Sequence, residues 1–166
     1  MIADHYLGHL LDRVPETRPF LEEVYEEEDG PIEALPTSDT DLDLYAILLD
    51  GLVKPVLQPA LAAPERDEDL LRRCFGFVEE VYEVDTEFTR GAVYFQVLES
   101  LLDAREYLVN AVPFLRGNLR EPVSKMLRNH DVEGYEDGLP PLWPAAVAIA
   151  VRKERFIGKG EARLEY

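Results

Sequence analysis

Residues 67–102 read DEDLLRRCFGFVEEVYEVDTEFTRGAVYFQVLESLL and carry two apolar stripes separated by a short polar break. Within each stripe the apolar side chains recur every three to four residues, which places them on one face of a helix. The stripes consist of Leu70, Leu71, Cys74, Phe75, Phe77, Val78, Val81 and Tyr82, and then of Val93, Tyr94, Val97, Leu98, Leu101 and Leu102. The pattern predicts two helices over 67–82 and 86–102 that fold back on each other as an antiparallel hairpin.

The residues that precede the two stripes are suited to start helices. Asp67 stands before the first stripe, and Asp85 and Thr86 stand before the second. Their side-chain oxygens can accept hydrogen bonds from the unpaired N–H groups of a first helical turn. We expect the core of the hairpin to contain Leu71, Phe75, Val78, Tyr94, Leu98 and Leu101.

Helical periodicity also occurs on both sides of the hairpin. A short helix is expected around residues 2–11, a second from Thr17 to the acidic run that Gly30 ends, and a third from about residue 42 to 57. The third is apolar on most of its circumference and should therefore be central, with a capping box from Thr40 to Asp43. We expect Pro55 and Pro59 to kink or fray the second half of this helix, and residues 58–64 to form a linker. Shorter helical stretches follow near 104–115 and 122–128.

These elements predict an all-α chain, namely a single-domain irregular helical bundle of about six to seven helices over residues 1–166. The C-terminal part, residues 139–166, contains prolines, a short apolar run over 145–151, and then Arg152, Lys153 and Arg155. We expect this tail to pack on the core, and a basic tail that touches a membrane is the second interpretation.

The charge of the chain is strongly asymmetric. The net charge is −17, and residues 1–87, with 23 acidic and 6 basic side chains, account for the whole imbalance. Such a field repels nucleic acid and anionic lipid, and it would speed the encounter with a basic protein. We therefore expect a protein partner with a basic surface, no nucleic-acid partner and no membrane partner. The alternative is that the acidic side chains only solvate the surface.

The single cysteine, Cys74, lies on the first apolar stripe and is expected to be a buried, unreactive thiol. No apolar run approaches the roughly 20 residues that span a bilayer, and the N-terminus lacks the order of a signal peptide. These features favour a cytoplasmic location.

The sequence shows no catalytic or metal-binding signature. His5 and His9 are spaced i, i+4, as two ligands of one metal ion can be, but no further ligands follow at a recognisable spacing. A phosphate-binding glycine loop, a serine nucleophile elbow, C-x-x-C and H-E-x-x-H are all missing from the sequence. We expect no catalytic residue, no metal and no cofactor, and an enzyme is the least favoured function.

The hairpin sequence LLRRCFGFVEE over 70–80, followed by VYFQVLESL over 93–101, resembles a group of small bacterial helical proteins with a HEAT-like helix pair. Members of this group are considered immunity-type proteins of toxin systems. The resemblance implies an immunity or antitoxin-like inhibitor that neutralises a basic toxin domain. An intracellular adaptor or scaffold module without a toxin partner remains the alternative.

If the chain binds a basic partner, the charge pattern points to the acidic side of the second helix and the outer side of the hairpin. The candidate partner-binding residues are Glu22, Glu23, Glu26, Glu27, Glu28, Glu79, Glu80, Glu83 and Glu87.

Overall fold

The computed structural model describes residues 2, 5–36 and 43–141, and these contain seven helices and no strand. The helices are α1 Tyr6–Arg13, α2 Arg18–Val24, α3 Leu44–Ala62, α4 Glu68–Glu83, α5 over 87–102, α6 Arg105–Ala111 and α7 Arg120–Asn129. Short 3-10 helices occur at Pro15–Thr17, Ile32–Ala34, Val112–Phe114 and Gly117–Leu119. The all-α prediction is therefore confirmed, and the number of described helices agrees with it.

The chain divides into two compact units, Met1–Leu119 and Arg120–Tyr166. In the second unit, the backbone N–H of Leu139 donates to Ser124 Oγ at 3.0 Å, and Arg120 donates to the carbonyl of Pro140. These bonds fold residues 139–140 back on α7. The rest of the predicted C-terminal tail, 142–166, lies outside the described residues.

Helices α4 and α5 form the predicted pair in the first unit, and both begin as the sequence indicates. Asp67 Oδ1 accepts a hydrogen bond from the N–H of Leu70 at 3.1 Å. Thr86 and Thr89 form a reciprocal capping box, in which each hydroxyl accepts from the other's backbone N–H at 3.1 and 3.0 Å. The two helices contact each other along their apolar faces. Each cap of this kind contributes about 1 kcal/mol to helix stability.

Five of the six expected core residues of the hairpin are buried, namely Leu71, Phe75, Val78, Leu98 and Leu101. The prediction for Tyr94 is wrong, because its side chain is only half-buried and packs edge-to-face against Phe95 at a centroid distance of 5.2 Å. Tyr94 lies in a π-helical stretch, Val93–Leu98. The wider turn of a π-helix rotates side chains out of the 3.6-residue phase on which the prediction rests.

Helix α3 is the central helix that the sequence predicts, and it packs against α2, α4 and α5. Its middle part, Ile47–Leu57, is π-helical and contains Pro55. The helix then continues as Gln58–Ala62, so the predicted linker over 58–64 is wrong for these five residues. Pro59 lies in this last segment of the continuous helix and, like Pro55, has no N–H to donate to the preceding turn. Among the described helices, only α3 is long and apolar enough to cross a membrane, and half of its apolar window is buried.

Candidate protein-binding surface

The acidic run after α2 does not continue the helix. We expected helical structure up to Asp29, but α2 ends at Val24 and turns follow up to Gly30, which has φ +90°. Carboxylates at a helix C-terminus oppose the helix dipole and repel one another, so the helix stops before most of them. The side chains of Glu26, Glu27 and Glu28 are all exposed in these turns.

The C-terminal end of α2 lies beside the start of α3. The hydroxyl of Tyr25, which directly follows α2, is 3.3 Å from Asp43 Oδ2, and Asp43 directly precedes α3. Asp43 therefore holds a tyrosine of the neighbouring segment and makes no side-chain cap for α3. Thr40, the other residue of the predicted capping box, lies outside the described residues.

The start of α5 also lies beside the start of α3. The ring of Tyr45, in the first turn of α3, has its centroid 5.6 Å from that of Phe88, in the first turn of α5. The Tyr45 hydroxyl also lies over Gly91, where a Cβ atom would be only 2.7 Å from it. Gly91 thus allows the close approach of the two helices. Phe88 remains 42% exposed.

Exposed carboxylates occur on the segments next to this aromatic pair, namely the turns after α2, the end of α4 and the start of α5. We call the group formed by Tyr45, Phe88 and the carboxylates of Glu26, Glu27, Glu28, Glu83 and Glu87 the acidic edge. None of these five carboxylates forms an ion pair with another described residue. Their charges are therefore open to a cationic partner.

The other four candidate residues lie elsewhere in the first unit. Glu22 is 3.6 Å from Arg18 on its own helix, and Glu80 pairs with Arg13 of α1. Glu23 lines a cavity of about 440 Å³ with Lys54 of α3.

Glu79 is half-buried, although the sequence indicated an outward position. The loss of hydration, followed by the repulsion of Glu83, raises the pKa of its carboxyl above the usual range.

One ion pair connects α2 to the 3-10 helix that follows the acidic turns. Arg18 at the start of α2 pairs with Glu33 in the 3-10 helix Ile32–Ala34. The hydrogen bond from Arg18 lowers the pKa of the Glu33 carboxyl. Because Arg18 is already engaged with Glu22 and Glu33, it leaves Glu26, Glu27 and Glu28 without a neutralising cation.

The groups that could supply other chemistry are not part of the acidic edge. Cys74 is buried, and desolvation raises the pKa of its thiol to about 12. Ser100 is buried and donates its hydroxyl hydrogen to the carbonyl of Val97. The ring of His5 packs over Gly8 on α1. In the described part of the chain, no three His, Cys, Asp or Glu side chains are grouped as metal ligands.

Sequence reasoning did not single out Tyr45 or Phe88. The available signal was Phe88 itself, a large apolar residue in the polar break between the two stripes. Its partner could not be identified, because Tyr45 lies more than 40 residues earlier and reads as part of the apolar circumference of α3.

Comparison with known proteins gives one match. The family described as "Domain of unknown function (DUF7674)" matches residues 7–131, which is three quarters of the chain. No curated protein and no solved structure matches significantly.

Proposed function

We propose that the chain, which belongs to the family of the domain of unknown function DUF7674, is an acidic protein-binding module for a basic partner. More concretely, we propose an immunity or antitoxin-like inhibitor that neutralises a basic toxin domain in the cytoplasm. The observation that supports this function is the acidic edge, where five exposed carboxylates without ion pairs accompany an aromatic pair of which Phe88 is exposed.

The acidic edge combines two features that favour protein recognition. Exposed carboxylates attract a basic partner over long range and can raise its association rate by 10- to 1,000-fold at low salt. Phe88 offers an exposed apolar contact directly after Glu87, and aromatic side chains at the centre of interfaces often carry much of the binding energy. A partner with Arg or Lys side chains around an apolar patch would complement both features.

The unpaired carboxylates support a binding role over a role in folding. Exposed charges contribute about 0–1 kcal/mol to stability even when they are paired, so these five side chains do little for the fold. Their mutual repulsion is relieved when a cationic surface approaches. The resemblance of residues 70–101 to immunity-type proteins is the reason to propose inhibition of a toxin as the outcome of binding.

The test compares two sets of charge reversals with equal effects on net charge. The edge variant carries Glu26→Lys, Glu28→Lys and Glu83→Lys. The control variant carries Glu65→Lys, Glu106→Lys and Glu121→Lys, which are exposed acids outside the acidic edge. Both variants and the native chain are co-expressed with the basic proteins encoded beside the gene in its host.

We expect the native chain and the control variant to protect cells from one of these proteins, and the edge variant to fail. With the purified pair, the association rate of the edge variant should fall at least tenfold. Raising salt from about 50 to about 500 mM should do the same to the native chain, since the screening length falls from ~14 to ~4 Å. Equal association rates for both variants, with no effect of salt, would contradict the proposal.

A further inference from the structure

A second concave site lies in the first unit, between α4 and the segment that follows α6. It is a groove of about 330 Å³, which is at the lower end of the range for small-molecule sites, roughly 300–1,000 Å³. Its walls include Glu68, Arg72, Gly76 and Glu79 of α4, and Phe114 and Arg116 of the following segment. These residues take no part in the acidic edge.

The floor of the groove is aromatic. Phe75 is almost fully buried, and its ring stacks on that of Phe114 with centroids 6.0 Å apart and an interplanar angle of 8°. Phe114 is only half-buried, and it is the more exposed ring of the two. A planar or apolar ligand body can therefore pack against a ring that is already held in place.

Glu79 provides a negative charge inside the groove. Its carboxylate lies against Gly117, which has φ +56° and where a Cβ atom would collide with Oε1. The side-chain amide of Asn118 donates to the backbone carbonyl of Glu79 at 3.2 Å and so fixes this turn against α4. Glu79 has no ion-pair partner among the described residues, and burial raises the pKa of its carboxyl. A cationic group would compensate for the lost hydration.

Two arginines of the groove, Arg72 and Arg116, balance the charges of Glu68 and Glu79. Arg72 makes only a distant contact to Glu68, with Nη2 and Oε2 3.7 Å apart, and its side chain is 66% exposed. Arg116 is exposed and uses its Nε–H for the carbonyl of Pro113 at 2.9 Å, so its terminal nitrogens are open to a ligand. With two acids and two arginines, the lining is neutral within a chain of net charge −17.

Gly76 gives an independent indication that the groove is kept open. It lies in the middle of α4, where glycine costs about 0.5–1 kcal/mol relative to alanine. Close packing does not require it, because a Cβ atom at this position would meet nothing within 4 Å. The missing side chain leaves open space at a position that lines the groove.

We propose that this groove binds a free amino acid with an aromatic side chain. The ammonium group lies at Glu79, the carboxylate at Arg116 and Arg72, and the ring against Phe114. A ligand with both charges fits a neutral lining that contains two acids and two arginines, whereas a simple anion would be repelled by the field of the chain. This site is separate from the acidic edge and does not depend on the proposed function.

Three probes of similar shape test which charges the groove recognises. L-phenylalanine carries both charges, phenethylamine only the ammonium group, and 3-phenylpropionate only the carboxylate. We expect saturable binding of L-phenylalanine to the full chain by NMR titration, weaker binding of phenethylamine, and weakest binding of 3-phenylpropionate. L-alanine, which lacks the ring, should bind at least tenfold more weakly than L-phenylalanine.

Three variants test which residues of the groove contact L-phenylalanine. Glu79→Gln should weaken L-phenylalanine binding about tenfold or more, because hydrogen bonds to charged groups are the strong ones. Gly76→Leu should abolish binding by filling the groove, and its melting temperature should not fall, since the position has open space and leucine favours helix. Glu106→Gln, at an exposed site on α6, is the matched control and should leave binding unchanged.

Two results would overturn the proposal. One is that L-phenylalanine shows no saturable binding to the native chain. The other is that its binding is the same in Gly76→Leu and Glu79→Gln as in the native chain.

Discussion

The rings of Phe75 and Phe114 lie nearly parallel, with centroids 6.0 Å apart and planes inclined by 8°. Phe75 comes from the middle of α4, and Phe114 ends the 3-10 helix that follows α6. The stack therefore connects the central helix pair to a segment almost 40 residues later in the chain. Because Phe75 is only 2% exposed, it also belongs to the core of the first unit.

Truncation of Phe75 should be strongly destabilising. We expect Phe75→Ala to lower the free energy of unfolding by about 3–5 kcal/mol, through lost burial and the cavity that it leaves. Phe95→Ala is the control, because that ring on α5 is 58% exposed, and it should cost less than about 1 kcal/mol. Urea denaturation measures both values. A loss below about 1 kcal/mol for Phe75→Ala would show that the ring is not in the core.

Two glycines near the groove should respond to alanine in opposite ways. Gly76→Ala should raise the free energy of unfolding by about 0.5–1 kcal/mol, because the helix gains propensity and the methyl group meets open space. Gly117→Ala should lower it by about 1–2 kcal/mol, because φ is +56° and the methyl group displaces the carboxylate of Glu79. Thermal unfolding of both variants checks this, and a change of the same sign in both would contradict it.

The thiol of Cys74 should make stability depend on alkaline pH. Its pKa is about 12 in the fold and 9.0 in the unfolded chain, since burial disfavours the thiolate. The stabilising contribution is complete below pH 9 and is lost as the pH rises through 9 toward 12, by up to about 1.4 kcal/mol per pH unit. Denaturation of the native chain and of Cys74→Ala across this range isolates the effect, because all other groups titrate in both. Equal slopes would contradict the assignment.

Arg73 should couple to Glu16 more strongly than its neighbour Arg72 couples to Glu68. Arg73 Nη1 is 2.8 Å from Glu16 Oε2, and its Nε donates to Asp69 Oδ2 at 2.9 Å. The Arg73 side chain is 30% exposed, so solvent screens the pair only in part. A double-mutant cycle should give about 0.5–1 kcal/mol for Arg73 and Glu16, against about 0.3 kcal/mol or less for Arg72 and Glu68. Equal coupling energies would mean that the closer geometry adds nothing.

The sequence predicts those parts of the fold that depend on local signals. Asp67 and Thr86 are recognisable as helix starts because a cap needs only a side-chain oxygen and the next three residues. The central position of α3 follows from its apolar circumference alone. Such features require no knowledge of which segments meet in space.

The features that the sequence did not predict have tertiary or conformational causes. The half-buried carboxylate of Glu79 lies against Gly117, which is far away in sequence, and no pattern around α4 reveals this contact. Phe88 could be noticed as an apolar residue in a polar break, but its contact with Tyr45 could not. The end of α2 at Val24 reflects charge repulsion that outweighs helix propensity, and propensity alone does not register it.

The two π-helical stretches, Ile47–Leu57 and Val93–Leu98, contact each other in the first unit. A turn closed by i→i+5 hydrogen bonds contains one residue more than the α-helical turn that it replaces. Each stretch therefore contains extra residues compared with an α-helical stretch that would connect the same flanking turns. A relative that lacks one residue within 93–98 can close an ordinary α-turn there and keep both flanking faces in register. Deletions of one residue in this family should accordingly be tolerated at these two places within helices, where chain length is otherwise least free to vary.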